Sequence, residues 1–423
     1  MRTARLPLLA GLLAALFLPL PAQAAGTPPQ ATWHSTQIRL APALKAGWTG
    51  KGVVVAVLDG WVDTSHVDFQ RRARYAADCT GGACTATSRG RDGCGQQHGT
   101  HVAGSVASSS YGVAPGATLL AIRVLKAQDA SKPLSDCVGD PKAVAAGINW
   151  AVAHGAQVLN LSLGPDVPGQ TSTGPIAQAV AAAAASGAVV VFSAGNADLP
   201  VAQAYGNDAL VVAATGPSGR MASYSQHGQG VSVAAPGGEP IGSTCNQDVC
   251  VTSLYPSNQI AVAAGTSMAA PQVAGLAALL LHQKPGRSRS EVVDRITSTA
   301  RPLSGAGHGL VDVTAALGVR STTASPAPRR TTATHRATPS PTRTVVKAAT
   351  SPSPIRLAPT SAPPRPSVTA SPTPTPLPVA PAPVTALDAS EPEEVPRALA
   401  GLAGALIGLA GAGALLAGMT RKR

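Results

Sequence analysis

Six apolar residues in a row, Val53 to Leu58, run without polar alternation into Asp59-Gly60. That is the pattern of a strand covered on both faces, not of one lying on a core with its other face in water. Similar runs return at Thr118–Val124, Val158–Ser162, Ala188–Ser193 and Leu210–Ala214. Helix-like stretches lie between and after them, over Thr100–Ala107, Pro141–Ala153, Pro175–Ala185, Met268–His282 and Arg289–Thr299. Strands alternating with helices of about ten residues imply right-handed crossovers. The expected fold is therefore α/β, a doubly wound, mainly parallel sheet with helices on both faces. In such sheets ligands bind at the carboxyl ends of the strands. Asp59 stands at one such end, and Ser193-Ala194-Gly195-Asn196 follows another.

Two further segments are rich in small residues: HGTHVAG at 98–104 and GTSMAAPQVAG at 265–275. With Asp59 they supply an acid, a histidine and a serine, the three parts of an acyl-transfer site. Ser267 is expected at the mouth of a helix, where the positive end of the helix dipole and its own N–H favour a developing oxyanion. Pro271 is read as lying early in that helix, where a missing N–H has no partner to lose. An ordinary N-cap is the bland alternative for a lone serine, but the long match around Ser267 argues against it. His98 is placed at a loop-to-helix junction, able to reach a hydroxyl, and His101 a turn further into the helix. Two histidines three apart can also bind metal, yet H-G-T-H lacks the acid and the further ligands of a helical zinc site. Asp63 and Asp68 are rival acids, but the end of a buried strand is the more rigid support.

The residues 33–317, carrying these three motifs in the order Asp, His, Ser, resemble the subtilase family of serine endopeptidases. The resemblance implies that Asp59 orients His98, that His98 is the base and that Ser267 is the nucleophile. It implies an oxyanion-hole donor at Asn196, and a substrate-binding edge at Ser162, Leu163 and Gly164 where a peptide adds as a strand. The stretch from Ala197 to Ala204, which in the family helps shape the main specificity pocket, is short here. The sequence departs from the family at Gly60-Trp61, where a Ser or Thr followed by Gly commonly stands, so a hydroxyl that often supports the acid is missing. No cofactor is expected. The structural calcium common in the family needs loop carboxylates that cannot be assigned on this chain.

The ends of the chain differ from its middle. Residues 1–24 carry Arg2 and Arg5, an apolar run from Leu6 to Leu20 and then Ala22-Gln23-Ala24, which reads as a secretory signal peptide. Residues 25–317 form the expected peptidase domain. In 318–397, Pro, Ser, Thr and Ala dominate, and 18 of the 38 prolines fall between Pro326 and Pro396. Such a segment buries too little apolar surface to fold and is held extended by its prolines. Ala398–Met419 is a run of 22 residues without a charge, followed by the basic tail 420–423. It is read as a transmembrane helix, with the tail on the cytoplasmic side. From Gly318 onward there are 12 basic and 4 acidic residues, so of the net charge of +12 the span 25–317 keeps only +2. Nothing marks that span as a nucleic-acid binder.

All six cysteines lie in 25–317, and an exported location favours disulfides over zinc. Cys245 and Cys250 are spaced to close a local loop, and Cys79, Cys84 and Cys94 crowd the stretch before His98. Only eight residues separate the expected cleavage point from Trp33, so a long folding pro-segment is not expected. This layout resembles the mycosins, membrane-anchored subtilases that accompany type VII secretion in actinobacteria. The expected partners are a protein or peptide substrate, the membrane and a type VII secretion complex. The alternative functions are a protease-like scaffold that stabilises a secretion complex, with proteolysis secondary, and a stalked adhesin with a dead domain. The second would be signalled by a lost triad member, and none is lost.

Overall fold

The computed structural model describes residues 18–20, 32–87, 96–127, 137–163, 174–201 and 205–319. In chain order the strands are β1 (Leu18–Leu20), β2 (Val54–Asp59), β3 (Ala73–Asp78), β4 (Thr85–Ala86), β5 (Thr118–Arg123), β6 (Leu125–Ala127) and β7 (Cys137–Gly139). They continue as β8 (Val158–Leu161), β9 (Val189–Ser193), β10 (Leu210–Thr215), β11 (Val233–Pro236), β12 (Val251–Tyr255) and β13 (Gln259–Ala263). The helices are α1 (Trp33–Gln37), α2 (Ala41–Lys45), α3 (Gln96–Ala107), α4 (Pro141–Ala153), α5 (Pro175–Ala185), α6 (Thr266–Gln283), α7 (Arg289–Ser298) and α8 (Val313–Leu317).

Eight strands form one sheet in the order β11-β10-β9-β8-β2-β5-β3-β4. Every pair is parallel except the edge pair of β3 with β4. After β5 the chain crosses to the far side of β2 and continues outward from β8. The order therefore reverses between β2 and β8, and the crevice outside their carboxyl ends is where such sheets bind ligands.

Unbroken apolar strands are explained by what covers them. Val55 and Val57 of β2 pack in one core with Val102 and Val106 of α3 and most of α6, while Ala56 and Leu58 pack in a second core with Val144 and Ile148 of α4 and Val180 of α5. Successive side chains thus meet helices on opposite faces. Thr266 and every residue from Met268 to Leu281 of α6 are buried, so this helix is covered all round, as a central helix must be. On its outer side α3 packs against β12, which pairs with β13 as an antiparallel ribbon.

Two helix boundaries differ from expectation, with consequences for the site. α3 begins at Gln96, four residues before Thr100, so His98 lies in its first turn instead of at a loop junction. α6 begins at Thr266, so Pro271 lies inside the helix, beyond the turn in which its missing N–H would be harmless. Cys79–Cys84 and Cys245–Cys250 are disulfides, each spanning five positions, and Cys137 is disulfide-bonded as well.

Residues 18–20, part of the span read as a signal peptide, lie antiparallel along β13, with Leu18 opposite Val262 and Leu20 opposite Ile260. The rest of that span, the linker beyond Val319, the 398–419 run, the basic tail, Cys94 and Gly164 lie outside the described residues. The chain divides into two units, 1–332 and 333–423, the second wholly outside them. Among the described residues no helix is long and apolar enough to cross a membrane.

Candidate active site

Asp59 ends β2 and is fully buried, and one of its oxygens accepts from the Gly60 N–H at 2.7 Å. His98 brings its Nδ1 within 3.0 Å of both Asp59 oxygens. Close approach of two backbones makes this contact possible. A methyl group on Gly99 would sit 2.6 Å from the Trp61 carbonyl oxygen and 3.2 Å from Asp59 Oδ1, so any larger residue would push α3 off the end of β2. With Nδ1–H donating to the carboxylate, the neutral ring keeps Nε2 as its acceptor. Burial alone would push the His98 pKa down; the charge of Asp59 and its hydrogen bond outweigh it and hold the imidazole above its ordinary value.

No hydroxyl supports Asp59 from the next residue, since Gly60 offers only its N–H. The turn beyond is held differently. Trp61 is buried, with Tyr75 edge-on at 5.2 Å between ring centroids and the Arg123 guanidinium 4.6 Å from its own. The Val62 N–H donates to the Tyr75 hydroxyl at 2.8 Å. Aromatic packing and a cation–π contact thus fix the strand exit that a side-chain hydrogen bond commonly fixes.

Ser267 is the second residue of α6, and its N-cap, Gly265, has φ +152°, a conformation that favours glycine. Its hydroxyl donates to the Ser162 carbonyl at 3.2 Å and makes no hydrogen bond to His98. Because α3 meets the end of β2 and α6 meets the end of the neighbouring β8, both helix mouths open on the same crevice. α3 and α6 also pack against each other. Pro271 deprives the Ser267 carbonyl of its donor four residues on. The Ser162 hydroxyl supplies one instead, at 2.9 Å, while accepting from Asn160 Nδ2 at 3.0 Å.

Asn196 follows β9, and its Oδ1 is held by two donors, the Thr266 N–H and the Thr266 hydroxyl, each at 2.9 Å. That hydroxyl in turn accepts from the Gly195 N–H at 3.0 Å. With its oxygen committed, the Asn196 amide presents Nδ2 on its other side. A methyl group on Gly265 would lie 3.6 Å from Asn196 Nδ2 and 3.7 Å from the Ser267 N, so the two donors border one space. The sequence alone does not mark Thr266 for this role. Only its position beside Ser267 hinted at a role.

The rival residues have other partners. His101 is fully buried with its Nε2 3.1 Å from the Val251 carbonyl, and burial first, then the neighbouring His98, push its pKa down to about 3. Asp63 accepts from Ser65 and from the Ser257 N–H, and Asp68 accepts from the Ser110 N–H and hydroxyl. Both acids are therefore bound into loops. Leu163 follows Ser162 beyond the last paired residue of β8, and of the stretch from Ala197 to Ala204 the structure describes only the residues through Val201. Among the described residues no group of three or more His, Cys, Asp or Glu could hold a metal ion.

A nucleophilic hydroxyl, a base oriented by an acid and two converging N–H donors can together carry out acyl transfer. Comparisons with known proteins agree with that chemistry. Residues 50–331 match the model of the subtilase family, Peptidase S8. M-protease of Shouchella clausii is 36% identical over 294 residues, covering 67% of this chain and 69% of that protein. Subtilisin Savinase of Lederbergia lenta is 36% identical over the same length, covering 67% of this chain and 97% of that protein. Among solved structures, a protease from Pseudoalteromonas arctica superposes with a TM-score of 0.58 at 30% identity, covering 69% of this chain and 99% of that one. Agreement in family model, relatives and fold, over the region that bears the site, means that this chain belongs to the subtilase family and is a subtilisin-type serine endopeptidase.

Proposed function

We propose that Asp59, His98 and Ser267 are the catalytic triad of an extracytoplasmic, membrane-anchored endopeptidase. The observation that carries this reading is the pair of 3.0 Å contacts from His98 Nδ1 to Asp59, which leaves Nε2 as the ring's acceptor at the crevice that Ser267 borders. The Ser267 hydroxyl turns from the Ser162 carbonyl, gives its proton to His98 Nε2 and bonds through Oγ to the carbonyl carbon of the substrate. The negative charge on the carbonyl oxygen is met by Asn196 Nδ2 and the Ser267 N–H. The proton on His98 then passes to the departing amine as the C–N bond breaks, leaving an acyl-enzyme. Water attacks that ester with His98 again as base, releasing the acid and restoring Ser267. Asp59 stays ionised throughout, holding the tautomer and stabilising the imidazolium. Ser162, Leu163 and Gly164 offer main-chain groups along which the substrate lies extended.

Localisation rests on composition. The apolar leader in 1–24, the Pro-rich span 318–397, the uncharged 398–419 and the basic 420–423 support a peptidase domain of 25–317 held outside the cell on a stalk. That layout supports a mycosin-like role in type VII secretion. The test compares the surface and secreted proteins of cells making the full chain with those of cells making the Ser267→Ala variant, alongside fractionation of the chain itself. The proposal expects the chain in the membrane fraction and a proteolytic fragment present only with Ser267. A chain recovered wholly in the medium removes the anchor. Full secretion in the variant, with no fragment lost, makes the chain a scaffold for a secretion complex.

A further inference from the structure

A cavity of about 610 Å³ opens between α1, the turn after β10 and the segment that joins α7 to α8. None of the residues proposed for catalysis lines it, and its volume is that of a ligand site. Trp33, Pro302, Leu303 and Leu310 give it apolar walls, Thr36 stands at its edge, and Arg301 is the charged residue on its lining, with no carboxylate opposite.

Arg301 lacks a full counter-charge. Its Nη2 donates to the Gln37 carbonyl, and its Nε makes no hydrogen bond. The nearest acid is Asp312, whose Oδ2 lies 3.7 Å from that Nε but already accepts from Arg39 Nη1 at 2.8 Å. The other oxygen, Oδ1, accepts from the Ala315 N–H. Two guanidiniums thus share one carboxylate whose oxygens are both engaged, leaving net positive charge beside apolar walls. Burial, then Arg39, draw the Arg301 pKa below its ordinary range, and Asp312 offsets this only in part. The Arg301 side chain remains 37% exposed. A carboxylate reaching it would gain a charge-assisted, two-pronged bond, while the walls cover apolar groups on either side.

We infer that this cavity is an exosite for a glutamate or aspartate side chain flanked by apolar residues in a polypeptide. Its position suits a substrate already held at the crevice. The turn at 217–219 follows the carboxyl end of β10, on the rim that also carries the end of β2. Those two strands are three steps apart, or about 15 Å at ~4.8 Å per step. An extended chain covers that in about five residues at ~3.3 Å each. The acidic residue would lie five or more positions from the bond that is cut. This use of the cavity rests on the peptidase reading above, so binding and cleavage are measured separately.

The experiment uses the full chain with Ser267→Ala and a fluorescein-labelled, end-blocked peptide, Leu-Glu-Glu-Leu-Ala, beside its twin with glutamine for glutamate. Fluorescence anisotropy should show the glutamate peptide binding at least ~10-fold more tightly, with the preference shrinking in high salt. Arg301→Gln should abolish the preference and Arg301→Lys should keep part of it. Thr36→Glu, at an exposed position, sets a competing carboxylate at the edge of the cavity and should abolish the preference even if Arg301→Gln fails to fold. Equal affinity for the two peptides, or an unchanged preference in folded Thr36→Glu protein, overturns the inference. In the Ser267 enzyme, Thr36→Glu should leave the cleavage of a short chromogenic peptide unchanged. A chain that cleaves nothing yet keeps the glutamate preference would end the peptidase reading and leave the binding site standing.

Discussion

Replacing Ser162 by alanine removes one buried hydroxyl on which two other groups depend. The Ser267 carbonyl loses its 2.9 Å donor, and Asn160 Nδ2 loses its 3.0 Å acceptor. Asn160 has nothing to fall back on, because its Oδ1 is buried without a hydrogen bond. Each buried polar group left unsatisfied costs about 1–3 kcal/mol, so with two of them the substitution should cost roughly 2–6 kcal/mol. At about 2–4 °C per kcal/mol for a domain of this class, Tm should fall by roughly 4–24 °C. The cause can be isolated through Pro271, since alanine there restores the N–H that a regular helix would direct at the Ser267 carbonyl. In a Pro271→Ala background the cost of Ser162→Ala should shrink by about 1 kcal/mol, a coupling that a double-mutant cycle resolves. Urea unfolding of all four chains, each carrying Ser267→Ala to prevent self-digestion, gives the numbers. A loss below about 0.5 kcal/mol, the usual size for a surface change, would refute the reasoning. So would equal losses with proline and with alanine at 271.

Three further outcomes follow from the same structure. Asn196→Ala should lower kcat by about 10²–10³ with little change in KM, the size of effect known for the oxyanion donor of subtilisin, a relative. Because Asp59 holds the His98 pKa above its ordinary value and catalysis needs the neutral ring, the acid limb of the rate profile should lie above about pH 6.5. Asp59→Asn should move that limb down while reducing kcat. His34 and His101 are buried, and burial pushes each pKa to about 3, so the folded chain refuses protons that the unfolded chain takes up below about pH 6.5. Their contribution to stability is complete above that pH and is lost as pH falls toward 3. His34→Gln should therefore flatten the decline in urea midpoint between pH 6 and pH 4, and an unchanged slope would remove His34 from the account.

Local signals were readable where one residue decides the backbone. Pro141 and Pro175 open α4 and α5 at the expected residues, because a proline at the first helical position gives up nothing. The central strands lie within a residue or two of their apolar runs, since each is buried on both faces. Pro271 misled for a non-local reason. A proline marks the first turn unless another group takes over its hydrogen bond, and here that group is Ser162, 105 positions earlier. Thr266 acquires its role only by meeting Asn196, 70 positions away. β12 lacks the long apolar runs of the central sheet, and nothing in its residues announces that it covers α3. What folding brings together from distant positions has no local signature, and the cavity at Arg301 is of the same kind.

Ser267 is proposed as a nucleophile made reactive by His98 and Asp59. An activated serine attacks the phosphorus of a fluorophosphonate probe and displaces fluoride, and mass spectrometry of the digested chain locates the phosphonyl group. One label is expected, on the peptide containing Ser267, and labelling should be at least ~10²-fold slower once His98 is replaced by alanine. An intact, folded chain that takes no label at Ser267, or takes it equally fast without the imidazole, would contradict it.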